Sequence, residues 1–227
     1  MTLHAVLHAA PHNAKSVLVT SIMDAFHVPY TLYEYPEWHS HADKITTAYR
    51  ATQDLTDASH LLFLDAYDVL VLGTPEAILE RFVTLKHPWV CAAEINLWPP
   101  HSFHPSDYGD TFTTPWRYLN SGVYLAESTY LAACLERWGI PEEAPSDQAW
   151  YAEHYLQDPG SILLDTQCTL FQCLISSWWA FEVSPGRLYN NYTRTHPLIL
   201  HDNGGARLTR DRVRVLWEGV VKCPSSP

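Results

Sequence analysis

Two aspartates three residues apart close the apolar run Leu61-Leu62-Phe63-Leu64-Asp65-Ala66-Tyr67-Asp68. In a fully extended strand Asp65 and Asp68 would face opposite ways. If the chain turns at Ala66, both carboxylates aim at one point beyond the strand's carboxyl end, where open α/β sheets bind ligands. A divalent cation there could bridge them to a diphosphate. Taken alone, such a pair more often marks solvated acids in a turn. A second apolar run, residues 198–200, ends in His201 and the turn Asp202-Asn203-Gly204-Gly205. Neutral imidazole suits a borderline transition metal, whereas Mg²⁺ prefers oxygen alone. Asn203 and the backbone N–H groups around Gly204 could meet phosphate oxygens. Arg207 could add a bidentate fork. By itself this run reads more readily as a strand-ending turn with an incidental histidine.

Three further constellations carry polar groups beside apolar runs. Asn120-Ser121-Gly122 leads into Val123-Tyr124-Leu125. The amide and hydroxyl could bind sugar hydroxyls, and Gly122 could allow close approach, although a turn before a strand is the plainer reading. Ser146-Asp147-Gln148 reads as a capped helix start, where an acid is favoured by the helix dipole. Asp147 and Gln148 would there present a carboxylate and an amide to a polyhydroxylated ligand. Ala93-Glu94 ends another short run, and Trp98-Pro99 opens a long segment rich in Pro, His, Ser and Thr. Segments of that length are commonly lids or binding loops.

These groups need elements to hold them. Apolar runs alternate with helical patterns, as in an α/β layer fold. Strands are expected at residues 4–9, 30–35, 61–64, 89–93, 122–125, 162–164 and 198–200. A helix over 14–26 would be capped by Asn13 and carry Val17, Leu18, Ile22 and Ala25 on its buried face. Another covers 44–55. Thr74-Pro75-Glu76 combines a capping hydroxyl, proline at the first helical position and an acid in the first turn. Its helix would bury Ile78, Leu79, Phe82 and Val83. Ser128 is expected to cap a helix bearing Leu131, Leu135 and Trp138, and Ser146 one that runs to Tyr155.

Composition narrows the function classes. The 227 residues contain 14 basic and 25 acidic side chains, a formal net charge of −11. That balance disfavours nucleic acid, which is gripped by clustered Lys and Arg. No apolar run approaches the roughly 20 residues that span a bilayer. Neither a G-x-G-x-x-G turn nor a P-loop is present, which removes most support for a dinucleotide or P-loop site. The first residues lack the basic and long apolar regions of a signal peptide. Five cysteines, an odd and sparse set, suggest reduced thiols and a cytoplasmic location. One domain over residues 1–218 is expected, with a C-terminal tail at 219–227.

The five constellations follow one another in a familiar order. The motifs FLDAYDVLVLG at 63–73, PEAILERF at 75–82, AEINLWP at 93–99, RYLNSGVYL at 117–125, SDQAWY at 146–151, LLDTQCTLFQCL at 163–174 and PLILHDNGGAR at 197–207 resemble the glycosyltransferase domain of the procollagen lysyl hydroxylases, a family related to collagen galactosyltransferase-like proteins. The resemblance implies a GT-A fold, a Rossmann-like nucleotide-binding domain with a mixed central sheet. It implies a UDP-sugar donor and Mn²⁺, with Mg²⁺ as a substitute. Asp65, Asp68 and His201 fall on the family's metal positions. Tyr67 falls on an aromatic at the uridine, Trp38 near the base, and Lys44 near the nucleotide. Asn203, Gly204 and Arg207 fall on the diphosphate segment, with Arg207 where Lys is usual. Asp147 and Gln148 would lie at the donor sugar as catalytic residues. Glu94, Trp98, Asn120, Ser121 and Gly122 would face the substrates, with Trp98 starting a mobile loop.

The sequence also departs from the family's pattern. Its acidic run shrinks to Asp147, the turn reads H-D-N-G-G where H-G-N-G-P is usual, and the first strand ends in HAAPH. The implied activity is transfer of glucose or galactose from UDP to an acceptor hydroxyl on a protein or glycan, with hydroxylysine and galactosyl-hydroxylysine of a collagen-like chain as candidates. Two rivals are a UDP- and metal-binding module without turnover and a metal-dependent hydrolase of nucleotide sugars.

Overall fold

The computed structural model describes residues 1–9, 16–35 and 37–203, with residues 16–18 described by their backbone alone. A mixed six-stranded sheet is built from β1 (Leu3–Ala9), β2 (Tyr30–Glu34), β3 (His60–Asp65), β5 (Trp89–Glu94), β6 (Tyr118–Glu127) and β7 (Leu163–Asp165), in the order β2-β1-β3-β6-β5-β7. β1 runs parallel to β2 and β3, and β6 antiparallel to both β3 and β5. A smaller sheet, in the order β4-β11-β8, joins β4 (Val69–Val71), β11 (Ile199–His201) and β8 (Phe171–Cys173). β9 (Phe181–Ser184) and β10 (Arg187–Asn190) form an antiparallel hairpin. The short β4, β8, β9 and β10 are too brief for apolar periodicity to reveal.

The continuous apolar runs are strands covered on both faces. Every residue of β3 before Asp65 is buried, and so is all of β6 before Glu127. The helices are α1 (Ser16–Ala25), α2 (Ala42–Asp54), α3 (Pro75–Thr84), α4 (Ser128–Trp138) and α5 (Asp147–Gln157). In α3 the Thr74 hydroxyl accepts from the Ala77 N–H at 3.4 Å, and Ile78, Leu79 and Phe82 are buried. Val83, expected with them, is 49% exposed. In α1, Ile22 is buried beside Val19 and Met23, but Ala25 is exposed. The apolar stripe is therefore rotated toward residues 19 and 23. Asn13 and the tail at 219–227 lie outside the described residues. Ser128 is the first residue of α4 and Glu127 its cap.

Asn120-Ser121-Gly122 does not form a turn before a strand. It lies inside β6, at an irregularity. Cys91 pairs with Tyr124, yet the next β5 residue, Ala92, pairs with Asn120. The extra β6 residues bulge there, and bulges re-aim side chains beside functional sites. The segment 97–117 is largely irregular, with a single 3₁₀ turn at Pro105–Tyr108 that buries Tyr108. Cys91, Cys134, Cys168 and Cys173 are buried free thiols. No described helix is long and apolar enough to cross a membrane.

Candidate active site

β1 and β3 deliver their carboxyl ends to one edge of the large sheet, and the bulge of β6 lies beside them. There the chain bends after Asp65, as Ala66-Tyr67-Asp68 leave β3 for β4. β4 pairs with β11, setting Val69 opposite His201. Two segments more than 130 residues apart thereby converge. His201 Nε2 lies 3.6 Å from Asp65 Oδ2 and 3.5 Å from Asp68 Oδ1. One ligand atom from each of the three residues fits within 4.8 Å of the others.

The orientation of His201 is set by a chain of hydrogen bonds. Glu94 is buried and accepts from Asn120 Nδ2 at 3.0 Å and Gln148 Nε2 at 2.8 Å on one oxygen. Its other oxygen accepts from Asn203 Nδ2 at 2.9 Å. A carboxylate only accepts, so Asn120 must turn its NH₂ toward Glu94. Asn120 Oδ1 then faces the Gly122 N–H at 3.1 Å and His201 Nδ1 at 2.8 Å. With a cation bound, the His201 proton would accordingly sit on Nδ1 and leave the Nε2 lone pair to the metal between the two aspartates. Fixing a ligating imidazole through its other nitrogen is the usual support of a metal site. Two carboxylate oxygens and one imidazole nitrogen form a donor set for a borderline divalent cation. Burial opposes charge on His201, but the facing Asp65 and Asp68 outweigh it and push its pKa well above the usual imidazole value. The position favours positive charge, whether proton or metal.

Gly122 makes this convergence physically possible. A Cβ at that position would stand 2.1 Å from His201 Cε1 and 2.7 Å from Asp65 Oδ2. The residue expected to allow close approach of a sugar instead allows close approach of an imidazole.

Lys44, from α2, lies between two carboxylates. Its Nζ is 2.5 Å from Asp65 Oδ1 and 2.8 Å from Asp147 Oδ2. Burial disfavours its charge, but the two acids more than restore it and raise its pKa. The same burial opposes ionisation of Asp147. Lys44, His41 and Ser121 outweigh it and hold the carboxyl well below the usual range. Both Asp147 oxygens are occupied. His41 Nδ1 lies 3.1 Å from Oδ1, and the Ser121 hydroxyl donates to Oδ2 at 2.9 Å. Ser146 caps α5 as expected, accepting from the Ala149 N–H at 3.1 Å, and so fixes where Asp147 and Gln148 begin.

A cavity of about 700 Å³ opens over this cluster, within the usual range for small-molecule sites. Among the sequence-predicted residues, Lys44, Asp65, Asp68, Glu94, Trp98, Asn120, Ser121, Gly122, Asp147, Gln148, His201 and Asn203 line it. Tyr67 and Trp38 are not among its lining. Trp38 is 52% exposed and meets His8 and His41 edge to face, each with ring centroids 5.3 Å apart. Gly204 and Arg207 lie outside the described residues. Glu94, expected to contact substrate with Asn120 and Ser121, accepts from Asn120, Gln148 and Asn203, while Asn120 also meets His201 and Ser121 donates to Asp147. Sequence reasoning missed His41 and Ile175, both of which line the cavity. His41 could have been found from its place one helical turn before Lys44.

The family model described as "PLOD GT domain" matches residues 42–214, more than half of the chain. The chain is 28% identical over 168 residues to procollagen-lysine,2-oxoglutarate 5-dioxygenase 2 of Mus musculus, covering 70% of this chain and 22% of that protein. It is 29% identical over 157 residues to the human multifunctional procollagen lysine hydroxylase and glycosyltransferase LH3, covering 65% and 21%. It thus spans about a fifth of these relatives' length. The fold is similar to a solved glycosyltransferase involved in glycosylation of the major capsid of PBCV-1, with TM-score 0.55, 15% identity and coverage of 93% and 97%. Its mixed α/β architecture is that of the GT-A glycosyltransferases.

Proposed function

The chain belongs to the PLOD GT domain family, and on that premise we propose that it moves a hexose, glucose or galactose, from a UDP-sugar to an acceptor hydroxyl. Asp65, Asp68 and His201 would hold a divalent cation, Mn²⁺ before Mg²⁺ because one donor is nitrogen. The observation that carries this reading is the convergence of those three side chains at the head of the cavity. The cation supplies Lewis-acid neutralisation of charge on the departing UDP.

The chain's own residues do the remaining work. Lys44 ties Asp65 to Asp147 and keeps both ionised. Asp147, at the first turn of α5, would orient the donor sugar. Both its oxygens already accept from or face His41, Lys44 and Ser121, which favours orientation over proton abstraction. Gln148 would hold the loop over the site, since its Nε2 also donates to the Trp98 carbonyl at 3.3 Å. Trp98, 56% exposed at the rim, would cover the sugar and keep water out. Hydroxylysine or galactosyl-hydroxylysine would serve as acceptor.

UDP release from UDP-glucose and UDP-galactose, with Mn²⁺ and with hydroxylysine- and galactosyl-hydroxylysine-containing peptides, tests the reading. Release should require both Mn²⁺ and an acceptor. Binding without turnover across the panel would instead mark a non-catalytic module, and free sugar formed regardless of acceptor a hydrolase. Asp68→Asn should weaken Mn²⁺-dependent UDP binding at least about tenfold while thermal unfolding stays unchanged. Identical calorimetric titrations would overturn the metal assignment.

A further inference from the structure

Beside the cavity, β8 leads into residues 174–180, which carry Trp179, one ring of an aromatic pair with Tyr192 that the reading above does not use. Ile175 lines the cavity, and its N–H donates to Asn203 Oδ1 at 3.3 Å. The next residue, Ser176, accepts at its hydroxyl from Asn96 Nδ2 at 3.3 Å. Asn96 also lines the cavity. Ser176 has φ +56°, a left-handed conformation that non-glycine residues rarely adopt. Its carbonyl accepts from the Trp179 indole N–H at 3.1 Å. Trp179 is therefore tethered one residue from the cavity wall.

The pair is rigid yet open to solvent. Trp179 stacks on the buried Trp116, with centroids 6.2 Å apart and planes 28° apart. Tyr192 meets Trp179 edge to face at 5.9 Å and 83°, and it contacts Trp116 at 5.9 Å. Asn190, fully buried, holds the Tyr192 backbone by accepting its N–H at 2.9 Å. The Asn191 N–H donates to the Ala180 carbonyl at 2.7 Å, fastening the two segments together. Nevertheless Trp179 stays 62% exposed and Tyr192 51%. Two locked aromatic rings at a right angle, presented to water, form a preorganised corner. Rings of this kind give large contact area at little entropic cost.

We propose that Trp179 and Tyr192 form an acceptor subsite that stacks a pyranose ring, so that the acceptor hydroxyl reached from the cavity belongs to, or sits beside, a sugar already in place. This rests on the transferase reading and deepens it. A pyranose offers an apolar C–H face to Trp179 and hydroxyls at its edge. It is uncharged, as suits a chain of net charge −11. The corner is joined to the cavity wall through Ser176, which follows the wall residue Ile175, accepts from the wall residue Asn96 and holds the Trp179 indole. The two sources of such a ring, a free saccharide and a glycosylated peptide, share this chemistry.

The test is a binding titration that needs no turnover. Methyl β-galactopyranoside, a galactosylated hydroxylysine peptide and the same peptide without sugar are titrated against the wild-type chain and against Trp179→Ala and Tyr192→Ala, by saturation-transfer NMR and calorimetry. The galactoside and the galactosylated peptide should bind. Either alanine variant should weaken both about tenfold, Trp179→Phe should recover part of the loss, and Mn²⁺–UDP binding should not change. Tighter binding of the galactosylated peptide than of the free galactoside would identify glycosylated protein as the source. Equal affinity of the peptides with and without sugar would overturn the proposal, as would galactoside binding indifferent to both variants. Galactoside binding that depends on Trp179, in a chain that releases no UDP with any acceptor, would retain the subsite and remove the transferase reading.

Discussion

Gly122→Ala should abolish the proposed metal site without touching any metal ligand. The added Cβ would stand 2.1 Å from His201 Cε1 and 2.8 Å from Nε2. Carbon atoms in contact rest at about 3.5 Å or more, so the ring must retreat by about 1.4 Å. It has little room to do so. Nδ1 is tied to Asn120, and the backbone of β11 is paired on both sides, with β4 and with β8. Metal–ligand distances tolerate about 0.2 Å, far less than the required shift. Mn²⁺ affinity should therefore fall at least about 100-fold. The overpacking itself should cost about 1–3 kcal/mol. Mn²⁺ binding is followed by electron paramagnetic resonance, with and without UDP, and stability by calorimetry. The double variant Gly122→Ala/His201→Ala separates the two effects. Removing the ring relieves the larger clash and leaves the one with Asp65 Oδ2, so stability should return in part while metal affinity does not. A folded Gly122→Ala protein that binds Mn²⁺ like the wild type would refute the reasoning.

Glu94→Gln should loosen the His201 tautomer. Glutamine offers one acceptor oxygen and an NH₂ where three amide donors converge, so Asn120 is free to invert. Ring ¹⁵N shifts of His201, read with diamagnetic Mg²⁺ bound, should change from a single Nδ1–H tautomer to a mixture, and Mn²⁺ affinity should drop about tenfold; unchanged shifts would exclude the relay. A pH prediction follows from His60 and His154, whose pKa values burial depresses. The unfolded chain binds their protons more tightly than the folded one, so stability is fully present above pH 6.5 and is lost as pH falls below it. Denaturant unfolding of wild type and His154→Gln between pH 7 and pH 5 isolates the share of His154, and the variant should lose less stability than the wild type as pH falls.

The site was legible in the sequence wherever a residue type and a strand end coincided. Asp65, Asp68 and His201 each follow an apolar run, and the runs are buried strands whose ends must be polar. Thr74 and Ser146 announced their helices because capping chemistry is local. Asn120-Ser121-Gly122 was read as a turn because small polar residues usually make one. Only the pairing of β6 with two neighbours at different registers turns that tripeptide into a bulge, and no local pattern encodes a register. Val83 was misplaced for a similar reason. Helical spacing gives the centre of a buried stripe, but the neighbouring element decides its width. Nothing in one dimension shows that Asn120, Gln148 and Asn203 all return to Glu94.

The charge balance of the cavity bears on how an anionic donor could enter. Among the described lining residues, Asp65, Asp68, Glu94 and Asp147 outnumber the cationic Lys44 and the His201 imidazole whose charge the aspartates favour. At 4 Å and an effective dielectric near 20, each unit-charge pair is worth about 4 kcal/mol. A diphosphate brought in alone would be repelled, and Lys44 is already engaged by two carboxylates. A divalent cation reverses the balance where Asp65 and Asp68 meet, so in the proposed reaction it must arrive before UDP or with it. Asp68→Asn separates this account from simple repulsion. If repulsion alone governed entry, deleting one negative charge would tighten UDP binding even in the presence of Mn²⁺. If the aspartate serves chiefly to hold a cation, the same change weakens UDP binding in its presence. The two expectations have opposite signs, and a single pair of titrations decides between them.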